Sequence, residues 1–140
     1  MIGKSIQEIV VGDTASFQKT ITESDVYLYA GVTGDLNPVH INAVHAEESF
    51  FKERIAHGML SAGLISAVLG LQLPGPGTIY LSQSLKFTAP VKIGDTVRAE
   101  VEVIERNEDK NRLQLKTVCR NQHNDVVLKG EATVMPPKSQ

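Results

Sequence analysis

One cysteine in 140 residues removes several classes of chemistry at once. Cys119 has no partner for an internal disulfide and belongs to no Cys-x-x-Cys metal clip. Tryptophan is absent, and aromatic residues make up only 5% of the chain. No aromatic series is therefore interleaved with the scattered Lys and Arg residues, as a base-stacking platform would need. Positive charge is not in excess either. Fourteen Lys and Arg against sixteen Asp and Glu leave a formal charge of -2, without the basic stripe of a nucleic-acid binder. The start, Met1-Ile2-Gly3-Lys4-Ser5, lacks the apolar run of a signal peptide. The most apolar stretch, Met59 to Leu73, is too short to span a bilayer. The expectation is a soluble, cytoplasmic protein that engages neither nucleic acid nor membrane.

What is present fits one globular unit. The length suits a single domain over residues 1–140 that buries most of its apolar surface, with a short polar tail at 136–140. Hydrophobic and charged contents of 41% and 21% are ordinary for such a domain. There is no internal repeat and no low-complexity linker.

The second half reads as strands. Ile79, Leu81, Leu85, Phe87 and Ala89 alternate with Tyr80, Ser82, Ser84, Lys86 and Thr88, the period-two pattern of a strand with one buried face. Pro90 ends it and Gly94-Asp95 signals a turn. Val97, Ala99, Val101 and Val103 form the next alternating run, then Leu113, Leu115 and Thr117, then Val126, Leu128, Ala132 and Val134. Polar turns at 107–111 and 121–125 separate them, so the four strands are expected to form an antiparallel meander.

In the first half, Thr14 to Ile21 resembles one more strand. Thr22 and Asp25 have the spacing of a capping box, which predicts a helix through Tyr29 and Ala30 that stops at Gly34. Asp35-Leu36-Asn37-Pro38 should then be irregular, because Pro38 disfavours helix at Asn37. The run from His57 to Leu73 is long, non-alternating and apolar nearly all round, and it ends at Pro74-Gly75. It predicts a buried helix. A long helix beside an antiparallel sheet makes the fold class α+β.

The stretch Tyr-Ala-Gly-Val-Thr-Gly-Asp-Leu-Asn-Pro-Val-His, residues 29–40, followed by five residues and Ala46, resembles the hydratase 2 motif of (R)-specific enoyl-CoA hydratases. These form the MaoC-like dehydratase branch of the hot-dog superfamily. Ile55-Ala56-His57-Gly58-Met59 resembles that family's entry to its central helix, and Lys86-Phe87 through Gly94-Asp95 its strand-and-turn pattern. The resemblance implies a hot-dog fold, an antiparallel sheet wrapped around the long buried central helix. It also implies reversible syn addition of water to trans-2-enoyl-CoA, giving (R)-3-hydroxyacyl-CoA. The implied partners are an acyl-CoA thioester substrate and a second copy of the chain in a homodimer, with no cofactor.

Hydration across an α,β double bond needs a base for water and an acid for the α carbon. By resemblance these are Asp35 and His40. Their spacing around Asn37-Pro38 is wrong for one helix face and suits a bent loop aimed into one cavity. Gly58 maps onto the family's oxyanion-hole glycine, whose N–H at a helix N-terminus stabilises charge on the thioester oxygen. Asn37 and Ser61 are supporting candidates, the first mainly as a loop organiser, the second as a pocket-lining or backbone-bonding hydroxyl. Taken singly, each has an ordinary structural explanation. Asp35 and Asn37 suit an Asx turn, His40 a hydrogen-bonded core position, Gly58 tight packing, and His57 a brace for the helix.

Other chemistries fit less well. Asp35, His40, His45 and His57 show no His-x-x-x-His or Glu-x-x-His pair, so no metal site is expected. Gly58 to Gly63 has one residue too many for Gly-x-Ser-x-Gly, and Gly75-Pro76-Gly77 lacks the lysine of a phosphate loop. The two rivals are a hot-dog acyl-CoA thioesterase and a non-catalytic acyl-thioester binding module, since fold alone does not fix function. Leu64, Ile65 and Val68 are candidates to limit acyl length. Lys86, Arg54 and Arg98 are candidates to meet CoA phosphates.

Overall fold

The alternating stretches pair into one antiparallel sheet of six strands: β1 (Thr14–Thr20), β2 (Ile79–Gln83), β3 (Lys86–Phe87), β4 (Thr96–Asn107), β5 (Arg112–Arg120) and β6 (Val126–Met135). The computed structural model describes residues 1–139. Four helices complete it: α1 (Glu23–Thr33), α2 (Pro38–Ile41), α3 (Ala43–Glu47) and α4 (Gly58–Leu71).

The strand order is β1-β4-β5-β6-β2, with β3 also on β6. A meander holds for β4, β5 and β6, but the strand before them does not join it. β1 occupies the free edge of β4, registering Thr20 against Thr96 and Thr14 against Glu102. The 79–87 segment is therefore left to pair with β6 at the opposite edge.

That segment is also not one continuous strand with a buried face. It breaks at Ser84-Leu85, and Ile79, Leu81 and Phe87 are exposed, although Leu85 and Ala89 pack against the core. The cause of the break lies across the sheet at Gly130. A Cβ there would sit 1.8 Å from the Ser84 carbonyl oxygen, so the two backbones approach in a way only glycine permits. Ser84 then fastens the kink: its N–H donates to the Glu131 carbonyl at 2.9 Å, and its hydroxyl accepts from the Glu131 N–H at 3.0 Å.

α4 lies in the concavity of the sheet and meets β1, β2, β4, β5 and β6. Its Leu64, Ile65, Val68 and Leu69 pack with Val97, Ala99, Val101 and Val103 of β4, Leu113 and Leu115 of β5, and Leu128, Ala132 and Val134 of β6. Each such side chain contributes about 1.5–3 kcal/mol relative to exposure. The sheet thus wraps the helix, but the helix is buried on one side only. Met59, Gly63, Ser66 and Leu71 face outward, because small and apolar residues at helical spacing do not by themselves reveal which face the chain's own sheet covers.

Local signals place the remaining elements. Thr22 caps α1: its Oγ1 accepts from Asp25 N–H at 3.1 Å, and Asp25 Oδ2 accepts from Thr22 N–H at 2.9 Å. Gly34, left-handed at φ 79°, ends that helix. Pro38 is not part of the irregular stretch. It is the first residue of α2, where its fixed φ and missing N–H cost nothing, and Asn37 is the cap, accepting from Val39 N–H at 3.3 Å. Of the tail at 136–140, Pro136 and Pro137 are buried, Asn111 Nδ2 donates to the Pro136 carbonyl at 2.9 Å, and residue 140 lies outside the described residues. Among the described residues no helix is long and apolar enough to cross a membrane.

Gly130→Ala should force β6 away from Ser84 and cost about 3 kcal/mol, the upper end of the usual overpacking range. Urea unfolding of both proteins measures this directly, and an unchanged midpoint would mean that the close approach is not needed.

Candidate active site

Three short segments meet at the N-terminal end of α4. The stop at Gly34 releases the chain into the exposed Asp35–Asn37 turn, α2 carries His40 inward, and Arg54–His57 runs beneath both into Gly58. Asp35 is held locally by its own N–H, which donates to Thr33 Oγ1 at 3.2 Å, while its Oδ1 accepts weakly from Asn37 N–H at 3.4 Å. Asn37 is thus an organiser of the turn, as its type suggested.

His40 is buried, and its Nδ1 lies 2.7 Å from the Ile55 carbonyl oxygen. A carbonyl can only accept, so Nδ1 carries the proton, and in the neutral ring Nε2 keeps its lone pair for chemistry. Arg54 secures the same residue from the other side, its Nε donating to the His40 carbonyl at 2.8 Å. The guanidinium also pairs with Glu23, whose carboxyl it holds below the usual range, and lies over the Tyr27 ring at 5.1 Å. Arg54 is therefore engaged with α1 and α2 through Nε and Nη1, while its Nη2 is buried without a protein partner. Arg98 is likewise engaged on the outer face of the sheet with Glu100 and Ser16.

His57 was expected only to brace the helix, and it does more. It is 2% exposed, its Nε2 donates to the Asp35 carbonyl at 2.9 Å, and its ring stacks on His40 with centroids 3.8 Å apart and planes 30° from parallel. Tyr29 packs on it at 4.7 Å, and both burial and the nearby Asp35 charge push the Tyr29 hydroxyl pKa up. The sole sequence signal for this residue was its place just before the glycine that starts α4.

Asp35, His40, His57, Gly58 and Ser61 all line one cavity of about 500 Å³. Met59, Phe87, Val127 and Leu128 give it apolar walls, and Phe50 and Phe51 border it from the loop after α3. Ser61 is buried with its hydroxyl unpartnered, favouring the pocket-lining reading over a bond to backbone. At Gly58 an added Cβ would lie 2.6 Å from Phe87 Cε1, so glycine is what lets that ring close over the start of the helix. Leu64, Ile65 and Val68 line no part of this cavity. They point into the core instead, and Phe87, Val127 and Leu128, which come from distant strands, border the space that an acyl chain would use.

One atom each of Asp35, His40 and His57 fall within 4.8 Å of one another, close enough to raise the question of a metal. The ring geometry argues against it. Lone pairs lie in the ring planes, and two planes so nearly parallel do not converge within a metal–nitrogen bond of about 2.1 Å. His45 is exposed on α3 and is not among the three. What the arrangement can do is hold a water between a carboxylate and an imidazole, next to a helix N-terminus, at the end of an apolar cavity.

Comparison with known proteins finds relatives over nearly the whole chain. The family model described as "MaoC like domain" matches residues 8–126. The chain is 56% identical over 131 residues to an (R)-specific enoyl-CoA hydratase of Rhodospirillum rubrum, covering 94% of this chain and 90% of that one. It is 48% identical over 134 residues to a 3-hydroxybutyryl-CoA dehydratase of Methylorubrum extorquens, covering 96% and 85%. Among solved structures, the unliganded R-hydratase PhaJ1 of Pseudomonas aeruginosa superposes with a TM-score of 0.93 at 49% identity, covering 98% of this chain and 88% of that one.

Cys119 does not line this cavity but touches it from behind through Ser61. Its thiol is buried on β5 and donates to the Ser61 carbonyl at 3.6 Å, and burial, with Glu100 nearby, pushes its pKa up to about 12. A thiolate is the reactive form, so Cys119 should be inert in the native protein at neutral pH and react with a disulfide reagent only on unfolding. Thiol titration with and without denaturant tests this, and rapid native labelling would contradict it.

Proposed function

The chain belongs to the MaoC-like dehydratase family, and on that premise we propose that it is an (R)-specific 2-enoyl-CoA hydratase. The reaction is reversible syn addition of water to trans-2-enoyl-CoA, giving (R)-3-hydroxyacyl-CoA. The observation that carries this reading is the convergence of Asp35, His40 and the first turn of α4 on one cavity with apolar walls.

In the proposed mechanism the thioester carbonyl lies over the Gly58 N–H, and the acyl chain extends along Met59 and Phe87. Asp35 and the His40 Nε2 hold one water. As its oxygen bonds to C3, the pair takes up a proton from it, and the electrons of the double bond move onto the thioester oxygen. The Gly58 N–H and the helix dipole stabilise that charge, an interaction typically worth about 3 kcal/mol in the transition state. Return of a proton to C2 on the same face re-forms the thioester carbonyl. His40 is suited to its part because the bond to Ile55 fixes both its ring orientation and its tautomer. Ser61 lines the cavity beside Gly58 in a supporting role.

The proposed working unit is one domain that pairs with a second copy. Ile79 and Leu81 on the outer edge strand and Met59, Gly63 and Leu71 on the open side of α4 form apolar or small-residue surface that the chain does not cover itself. The proposed compartment is the cytoplasm, where CoA thioesters circulate.

Purified protein given crotonyl-CoA should remove the conjugated enoyl absorbance without releasing thiol. Thiol release would make it a thioesterase, and neither signal would make it a binding module. Asp35→Asn and His40→Gln should each keep the fold and lower turnover by at least about 100-fold, the range expected on losing an acid–base group. Near-normal turnover in either variant would remove that residue from the mechanism. Light scattering during gel filtration should give the mass of two chains, and the mass of one would contradict the pairing.

A further inference from the structure

An acid–base group on an exposed turn needs something to fix it, and Asp35 has little of its own. Within residues 34–37 the other hydrogen bonds run to neighbours within four positions. Among the described residues, the one bond joining this turn to a distant segment is from His57 Nε2 to the Asp35 carbonyl. The same ring stacks on His40 and leans on Tyr29, and the residue stands at the N-terminal boundary of α4 immediately before Gly58, without a side-chain capping bond. His57 therefore touches the turn of one member of the pair, the ring of the other, and the start of the helix that carries the proposed oxyanion donor.

The tautomer of its neutral ring is set by the same contact. The Asp35 carbonyl accepts only, so Nε2 carries the hydrogen. In the neutral ring Nδ1 is left as a bare acceptor, buried and unpartnered. A buried acceptor without a donor is destabilising, a penalty that a leucine or phenylalanine here would avoid. Packing alone would be served better by an apolar ring. The feature that only histidine supplies at this point is a flat stacking face together with a donor aimed at Asp35.

We propose that His57 is a positioning residue for hydration: through the Asp35 carbonyl it holds the Asp35 turn over the cavity, and through its ring it holds His40 in register with that turn. The inference rests on the hydratase reading for its kinetic consequence but not for its structural one. It requires two separable properties, a donor at the Nε2 position and an aromatic face.

Three variants separate them. His57→Phe keeps the face and loses the donor. His57→Gln keeps a donor that reaches the Asp35 carbonyl. His57→Asn keeps an amide too short to reach it, giving a polar comparison should the phenylalanine variant not fold. Misplacement of a reacting group by about 1 Å costs on the order of 100-fold, so His57→Phe and His57→Asn should lose roughly 10- to 100-fold in kcat with KM within about twofold. His57→Gln, which has the donor but no aromatic face, should recover the part of that loss owed to the Asp35 contact and stay below wild type. Hydrogen–deuterium exchange should accelerate over residues 33–39 in the first two variants and stay near wild type in His57→Gln, with the sheet amides unchanged in all three. Wild-type kcat and wild-type exchange in His57→Phe would overturn the proposal. So would equal kinetic loss in all three variants, or faster exchange throughout the sheet, each of which marks a residue needed only for packing. If the wild-type protein hydrates no enoyl-CoA, the functional reading falls, while the exchange pattern still decides whether His57 holds the turn.

Discussion

Asp35 and His40, the proposed acid–base pair, lie five residues apart with a proline between them and cannot share a helix face. Asp35 and His40 must be aligned from outside their own segment, and the alignment comes from four consecutive residues. Arg54 grips the His40 carbonyl, the Ile55 carbonyl holds the His40 ring, Ala56 N–H is anchored to the Val91 carbonyl at 2.7 Å, and His57 donates to Asp35. This strip is itself held on three sides. Ile55 N–H reaches the Val39 carbonyl, Arg54 is paired to α1, and the chain then enters α4, whose inner face is the core of the molecule. The site's precision is thus inherited from the sheet through one short strip of backbone.

The architecture explains why such a strip is available. A sheet curved around a single helix leaves the helix N-terminus open at one rim, where the free N–H groups of its first turn face outward rather than into a neighbour. The kink at Ser84 and Gly130 ends β2 there, and β3 then brings Phe87 across the opening. Asp35, His40, His57 and Ser61 come from one stretch of chain, whereas the apolar walls combine Phe50, Phe51 and Met59 of that stretch with Phe87 of β3 and Val127 and Leu128 of β6. Enclosure by apolar walls strengthens whatever electrostatic interaction the polar side offers.

Much of this was legible in the sequence, for identifiable reasons. Thr22 and Asp25, the alternation along β4 and β5, and the motif around Asp35 and His40 are local patterns, and local patterns survive folding unchanged. The start of α2 is legible too, since Asn-Pro is a cap followed by a favoured first helical residue, although a proline also carries the opposite signal of a helix breaker. The break in the 79–87 strand was not legible, because its cause is a glycine more than forty residues away on another strand. The outward face of α4 and the edge residues Ile79 and Leu81 carry hydrophobic patterns that do not distinguish the chain's own core from surface left for another molecule. His57 is a lone histidine in sequence, and its importance exists only as distances to Asp35 and His40.

The partly separate origin of the cavity's two sides along the chain bears on how such a protein can diverge. The polar side is nearly contiguous, so it is inherited as a block and tolerates little, each member being oriented by a near neighbour. The apolar side is assembled in part from Phe87, Val127 and Leu128 on strands whose backbone pairing does not depend on which apolar residue stands there. Substitutions on those strands can reshape the proposed acyl space while leaving Asp35 and His40 in place. Descendants of one ancestor could thus drift apart in the substrates they prefer long before they lost the reaction they share.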